Sequence, residues 1–176
     1  AVLVNIVNNI GAFPTKNWQG SYAEQGDAIS GETLADTYLV KAGACYRCPI
    51  ACARVIKVGD KVVGGPEYEP LWAFGGNCLN TIDICNMLCN EYGLDAISTP
   101  CTLAAAMELY QRGYIKEEEC DGYPLEWGNT ESMIEWVKRM GDPESELACL
   151  MSSGSARLCE HYGHPEISMS VKKQEM

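Results

Sequence analysis

Apolar residues crowd the first ten positions, Ala1 to Ile10, and stop at Gly11, which predicts a short apolar helix there. Residues 12–30 lose that pattern: Phe13-Pro14, Trp18 and scattered Gly and Ser read as loop. A helical pattern returns from about Glu32 to Lys41, with Ser30 placed to cap it. Beyond a cysteine-rich turn the period changes to that of strands. Arg54 to Val58 and Lys61 to Val63 are β-branched runs on either side of Gly59-Asp60, the signature of a small hairpin that Gly64-Gly65-Pro66 ends.

From there the pattern is helical again. Pro70 to Gly75 is short and aromatic. Asn80 or Thr81 can cap a helix running to Glu91 and closed by Gly93. Ser98 or Thr99 starts another, with Pro100 in its first turn, which runs through Leu103, Ala104, Met107 and Tyr110 to Gly113. An acidic linker, Lys116 to Asp121, leads into an irregular stretch with Pro124 and Trp127. Thr130 then caps a helix carrying Met133, Ile134, Trp136 and Val137. A long last helix is expected from Glu144 to Tyr162, stopped at Gly163 with Pro165 beyond it. There is no internal repeat. The fold class that follows is mainly α: a helical domain with one small β-hairpin after the cysteine turn.

Composition narrows this picture. A chain of 176 residues with 47% apolar residues holds one core and is not disordered. A net charge of −11 sets it against nucleic acid and anionic membranes. No apolar run reaches the length of a membrane span, and the first residues lack the basic start of a signal peptide. Ten cysteines would invite a disulfide framework in an oxidising compartment, but such frameworks belong mostly to small, loop-rich domains. Cys85, Cys89, Cys101, Cys149 and Cys159 fall inside helical patterns, as buried free thiols do, so a reduced, cytoplasmic protein is expected. Ala1-Val2-Leu3-Val4 begins inside an apolar run with no initiator Met, as expected of a chain cut from a longer one.

The candidate chemistry begins with Cys45-Tyr46-Arg47-Cys48-Pro49-Ile50-Ala51-Cys52. Three cysteines within eight residues are hard to explain by packing. Three thiolates do not complete a tetrahedral zinc site or a four-thiolate cluster, so a ligand must come from elsewhere. An iron–sulfur cluster is favoured over zinc, because no nearby Cys or His has zinc-ligand spacing. Plain packing ranks third. Next comes Gly64-Gly65-Pro66-Glu67-Tyr68-Glu69, where a Gly-Gly-Pro lead-in would let the backbone approach a bulky group. Alone it reads as a solvated acidic loop. Between a metal motif and the apolar Leu71 to Phe74, one of its carboxylates can face a pocket and move a proton. A third stretch, Asn90-Glu91-Tyr92-Gly93-Leu94-Asp95, ends a helix on a carboxylate, although helix ends favour cations. Asp95 is therefore either solvated or paired with the donors of a ligand. Cys85 and Cys89, four apart, read as core-facing, and His161 and His164 as surface or capping residues. No dinucleotide or phosphate-binding glycine loop is present, and no Ser/His/Asp grouping or basic patch.

In this order the three stretches resemble the tungsten-containing aldehyde:ferredoxin oxidoreductase family. Further matching segments are Ile97-Ser98, Thr102-Leu103-Ala104, Ala106 to Tyr110, Trp127 to Thr130, Tyr162 to Glu166 and Val171-Lys172-Lys173. The resemblance implies that residues 1–176 are one helical domain, the middle domain of such an enzyme. A β-rich domain would precede it and a second helical domain would follow. It also implies that Cys45, Cys48 and Cys52 bind three irons of a [4Fe–4S] cluster whose fourth ligand lies beyond Met176. Glu69 would be the carboxylate near the metal of a tungsten (or molybdenum) bis-molybdopterin cofactor. Asn90, Leu94 and Asp95 would form the pterin motif, with Asn90 standing where the family has Asp. An amide there accepts a hydrogen bond without bringing charge.

The activity implied is oxidation of a small aldehyde to a carboxylic acid, with electrons passed to ferredoxin or an electron-transfer subunit. Reduction of a carboxylate or acyl thioester on the same fold is the alternative, as is a non-catalytic fragment or an iron–sulfur or zinc module. Neither cofactor is expected to be complete in this chain alone. No nucleic acid or membrane partner is expected, and a homo-oligomer is compatible.

Overall fold

The computed structural model describes residues 2–79 and 83–176. Helix α1 (Val2–Asn9) presents Val4 to the interior and leaves Leu3, Ile6 and Ile10 exposed. A tight turn follows, in which Thr15 pairs with Gly20 and Lys16, Asn17 and Trp18 are all left-handed. The Ser30 hydroxyl caps α2 (Gly31–Thr37) by accepting from the Thr33 N–H.

Here the structure departs from the sequence reading. The helix stops at Thr37, and Leu39–Gly43 is a strand, β1. It pairs antiparallel with β2 (Ala53–Val58), with Leu39 opposite Ile56, and Lys57 donates to the Tyr38 carbonyl. A hairpin alone would leave β2 with an open edge. Pairing satisfies those backbone groups, and Leu39-Val40 suits a strand as well as a helix. β3 (Lys61–Gly64) pairs on the other side, Val58 opposite Lys61. The sheet is thus three-stranded, in the order β1-β2-β3.

Helix α3 (Tyr68–Trp72) runs straight into a wide π-turn, Ala73–Asn77, whose five residues are all buried. The cap expected at Asn80 or Thr81 lies outside the described residues; α4 (Asp83–Tyr92) closes before Gly93 as expected. α5 (Ser98–Gln111) is the centre of the molecule. Thr99 to Leu109 are all buried, and α5 packs against α6 (Thr130–Gly141), α7 (Glu146–Ser152) and α8 (Ser155–His161). The run Ala104-Ala105-Ala106 lets those neighbours approach closely, and a helix apolar all round belongs inside a core.

Two more expectations are corrected around it. Asn129, not Thr130, caps α6, its side-chain oxygen accepting from the Ser132 N–H at 3.2 Å. The single long helix expected from Glu144 to Tyr162 is two helices. Gly154 between them has φ +94°, outside the helical region. The Ser152 and Ser153 hydroxyls turn back onto carbonyls of α7. The chain ends in a short ribbon, β4 (Ser170–Val171) with β5 (Gln174–Glu175), which the sequence pattern did not suggest. Glu175 reaches back to accept from the N–H and hydroxyl of Ser155, both at 2.8 Å, and so closes the start of α8. Mainly α describes the whole, with the small sheet to one side.

Candidate functional site

The cysteine turn joins β1 to β2 and is held by little else. Cys48 N–H donates to the Cys45 carbonyl at 3.0 Å, and Arg47 and Ala51 both adopt the left-handed conformation. Two non-glycine residues in that region each cost about 1 kcal/mol or more, which a turn normally avoids unless it has to curl tightly. Cys45 and Cys52 are exposed and Cys48 half-buried, and all three are free. Tyr46 is 88% and Ile50 77% exposed beside them. Among the described residues no three Cys, His, Asp or Glu side chains converge closely enough to hold a metal ion, so the turn presents three thiols without gathering them. The donor chemistry fits an iron–sulfur centre.

The other cysteines behave differently. Cys78, Cys85, Cys89, Cys101, Cys120 and Cys159 are buried, whereas Cys149 is exposed, against the expectation for it. Burial pushes the Cys85, Cys101 and Cys159 thiols up to about 12 and Cys89 to about 11. These are inert core groups.

Glu69 lies in the first turn of α3, half-buried, where the helix terminus favours a carboxylate. Glu67 is more exposed and pairs with Arg54 at 4.0 Å. Of the glycine pair before them, Gly65 packs closely against the sheet. A Cβ on Gly65 would stand 2.9 Å from the Ile56 side chain, and its N–H donates to the Arg54 carbonyl at 2.8 Å.

Asp95 has a structural task that its sequence position hid. Its Oδ1 accepts from the N–H groups of Ile97 (2.9 Å) and Ser98 (2.6 Å), so it caps the start of α5. The charge disfavoured after α4 is favoured before α5. Oδ2 has no hydrogen bond among the described residues and is free to accept from a ligand. Leu94 is half-buried against the core and donates to the Cys89 carbonyl, while Asn90 is exposed on the last turn of α4. No hydrogen bond or ion pair among the described residues links Glu69, Asp95 and the cysteine turn to one another. Two surface cavities, of about 460 and 490 Å³, are lined by other residues.

All of residues 1–176 fall within the match to the family model described as aldehyde ferredoxin oxidoreductase, domains 2 & 3. The chain belongs to the aldehyde ferredoxin oxidoreductase family. It is 46% identical over its whole length to a tungsten-containing aldehyde ferredoxin oxidoreductase of Thermococcus kodakarensis, and 47% identical to one of Pyrococcus furiosus. It spans about 30% of the length of each. A more distant relative, 28% identical over 82% of the chain and 24% of its own length, is the WOR-like subunit of an aliphatic sulfonate oxidoreductase from P. furiosus. The fold is also seen in the active site complex BamBC of benzoyl coenzyme A reductase, with a TM-score of 0.76 at 20% identity, over 94% of this chain and 26% of that one. Among the described residues no helix is long and apolar enough to cross a membrane.

The sequence reading missed one polar site of this family member. Glu108 is 2% exposed in the middle of α5. It accepts from Asn17 at 2.7 Å and pairs with Arg112, and Asn17 also donates to the Ile167 carbonyl at 2.8 Å. A charged residue following Ala104 to Met107 on a core helix was the available signal.

Proposed function

We propose that this chain is the middle, helical domain of a tungstopterin, [4Fe–4S] oxidoreductase that converts a small aldehyde and water into a carboxylic acid, two protons and two electrons. Electrons leave one at a time to ferredoxin or an electron-transfer subunit. The observation that carries the reading is the family match over residues 1–176 together with three free cysteines on one exposed turn. A β-rich domain and a second helical domain of the same protein would supply the remaining walls of the site and the fourth cluster ligand.

Cys45, Cys48 and Cys52, as thiolates, would hold three irons. Asp95, with the oxygen left over from capping α5, would accept hydrogen bonds from pterin amino groups. Leu94 would set that loop by its own backbone bond, and Asn90 would add a neutral contact. When bound, the cofactors supply two-electron oxidation at the metal and single-electron relay through the cluster. Glu69, fixed in the first turn of α3, would take up the proton released as the acid forms.

In the complete enzyme, Glu69→Gln is expected to lower turnover by roughly 100-fold or more while iron and tungsten contents stay at wild-type values. Unchanged turnover would remove Glu69 from the chemistry. A second reading, a different tungstopterin reaction, is favoured by the relative named as a sulfonate oxidoreductase. Assaying aldehydes, sulfonates, carboxylates and acyl thioesters side by side separates the two.

A further inference from the structure

Charge is distributed unevenly along this acidic chain. Lys41, Arg47, Arg54, Lys57 and Lys61, five of its 13 cations, fall between residues 39 and 64, where Asp60 is the one acidic residue. The other 23 carboxylates lie elsewhere. These cations are too spread along the chain to form a patch in sequence, but the pairing of β1, β2 and β3 gathers them into a basic region on an acidic body.

Strand register decides which cations are available. Ile56 is buried, with Leu39 and Val63 across from it, and Arg54 on that same face pairs with Glu67. On the opposite face Lys41 stands across from Val55, and Lys57 across from Val62. Both lysines are exposed, and neither ammonium group has an ion pair or hydrogen bond among the described residues. Val62, between strand and solvent, is 59% exposed. At the turn end of the sheet the Arg47 guanidinium lies 5.1 Å over the Tyr46 ring.

A permanent interface depletes lysine from its core. Transient electron-transfer complexes are small, and opposite charge around a modest apolar centre steers them together. We infer that the outward face of this sheet, Lys41 and Lys57 around Val55 and Val62 with Arg47 at the turn, docks an acidic electron-carrier protein. In each encounter the cluster assigned to the adjoining turn loses one electron and the oxidised carrier gains it. The inference rests on the reading of Cys45, Cys48 and Cys52 given above.

The test uses the complete enzyme with Lys41→Glu/Lys57→Glu, beside a control of equal charge change, Lys138→Glu/Lys172→Glu. Calorimetry with a redox-silent, gallium-substituted ferredoxin is expected to show binding about tenfold weaker in the sheet variant at low salt, with the difference vanishing at high salt. The control should change by less than about twofold. Reduction of native ferredoxin should fall in parallel, while reduction of a small viologen dye stays at the wild-type rate. Equal ferredoxin binding by variant and wild type overturns the docking surface, as does a joint loss of dye and ferredoxin reduction. A wild-type enzyme that contains no iron overturns the parent reading instead, whatever the variants do.

Discussion

The sheet with its cysteine turn and the helical body around α5 follow opposite physical rules. In the body, side chains from α5, α6, α7 and α8 close on one another, with Leu103, Met107, Met133, Trp136 and Met151 fully buried. Even its buried carboxylate, Glu108, has both oxygens engaged. In the sheet, one residue of β2, Ile56, is buried, and β1 is exposed along most of its length. The turn leaves Tyr46 and Ile50 in solvent and three thiols without partners. The body is held by packing. The turn has the composition of a site and the packing of a loop, which is what the proposed cluster would order. Scaffold and cysteine loop are separated, as often holds where a rigid core positions a site.

The sharpest way to break this contrast is to truncate one large side chain in each region. Trp136→Ala empties a site with no exposure and removes the bond from its ring N–H to the Tyr123 carbonyl. It is expected to cost about 3–5 kcal/mol in denaturant unfolding. Tyr46→Ala should change stability by less than about 0.5 kcal/mol. Comparable losses at the two positions would mean that the turn is part of the core.

The cysteines give a smaller effect and a pH dependence. Cys85, Cys101 and Cys159 titrate near 12 when folded, against an ordinary thiol value of 9.0. Because the folded state raises these values, the stability they contribute is complete below pH 9.0. It falls as pH rises towards 12, where only the unfolded chain gains by ionising them. Unfolding followed from pH 7 to 11 should show a plateau and then a decline. At pH 8 the metal-free chain should label rapidly with a thiol reagent at Cys45, Cys48, Cys52 and Cys149 alone, read by peptide mass spectrometry. Early labelling of Cys85 or Cys101 would contradict the rigid body.

Asp95 lies in the helical body, between α4 and α5, and its expected effect is small. Asp95→Ala removes the cap of α5 and should cost about 1 kcal/mol, with Asp95→Asn retaining most of it. If Asp95→Asn also leaves pterin content of the complete enzyme unchanged, the residue acts as a helix cap and nothing more.

Local pattern was enough for much of this protein. Ser30 before α2, Gly93 after α4, the turn at Gly59-Asp60 and the clustering of Cys45, Cys48 and Cys52 are all signals carried within a few residues, and short-range backbone physics acts at that range. The core role of Cys85 and Cys89 was readable too, since period and composition report burial. Tertiary structure decided the rest. Leu39–Gly43 became a strand because β2 offered an edge, and edges are not written in the strand that fills them. The start of α8 just after Gly154 is closed by Glu175, from the far end of the chain. Asp95 looked misplaced against α4 and proved well placed for α5, because a carboxylate takes its meaning from the dipole it faces. Lys41 and Lys57 became one basic face only through the register of three strands. Residue chemistry is local and legible in order, whereas which groups share a face depends on pairing across distance, which the linear pattern does not encode.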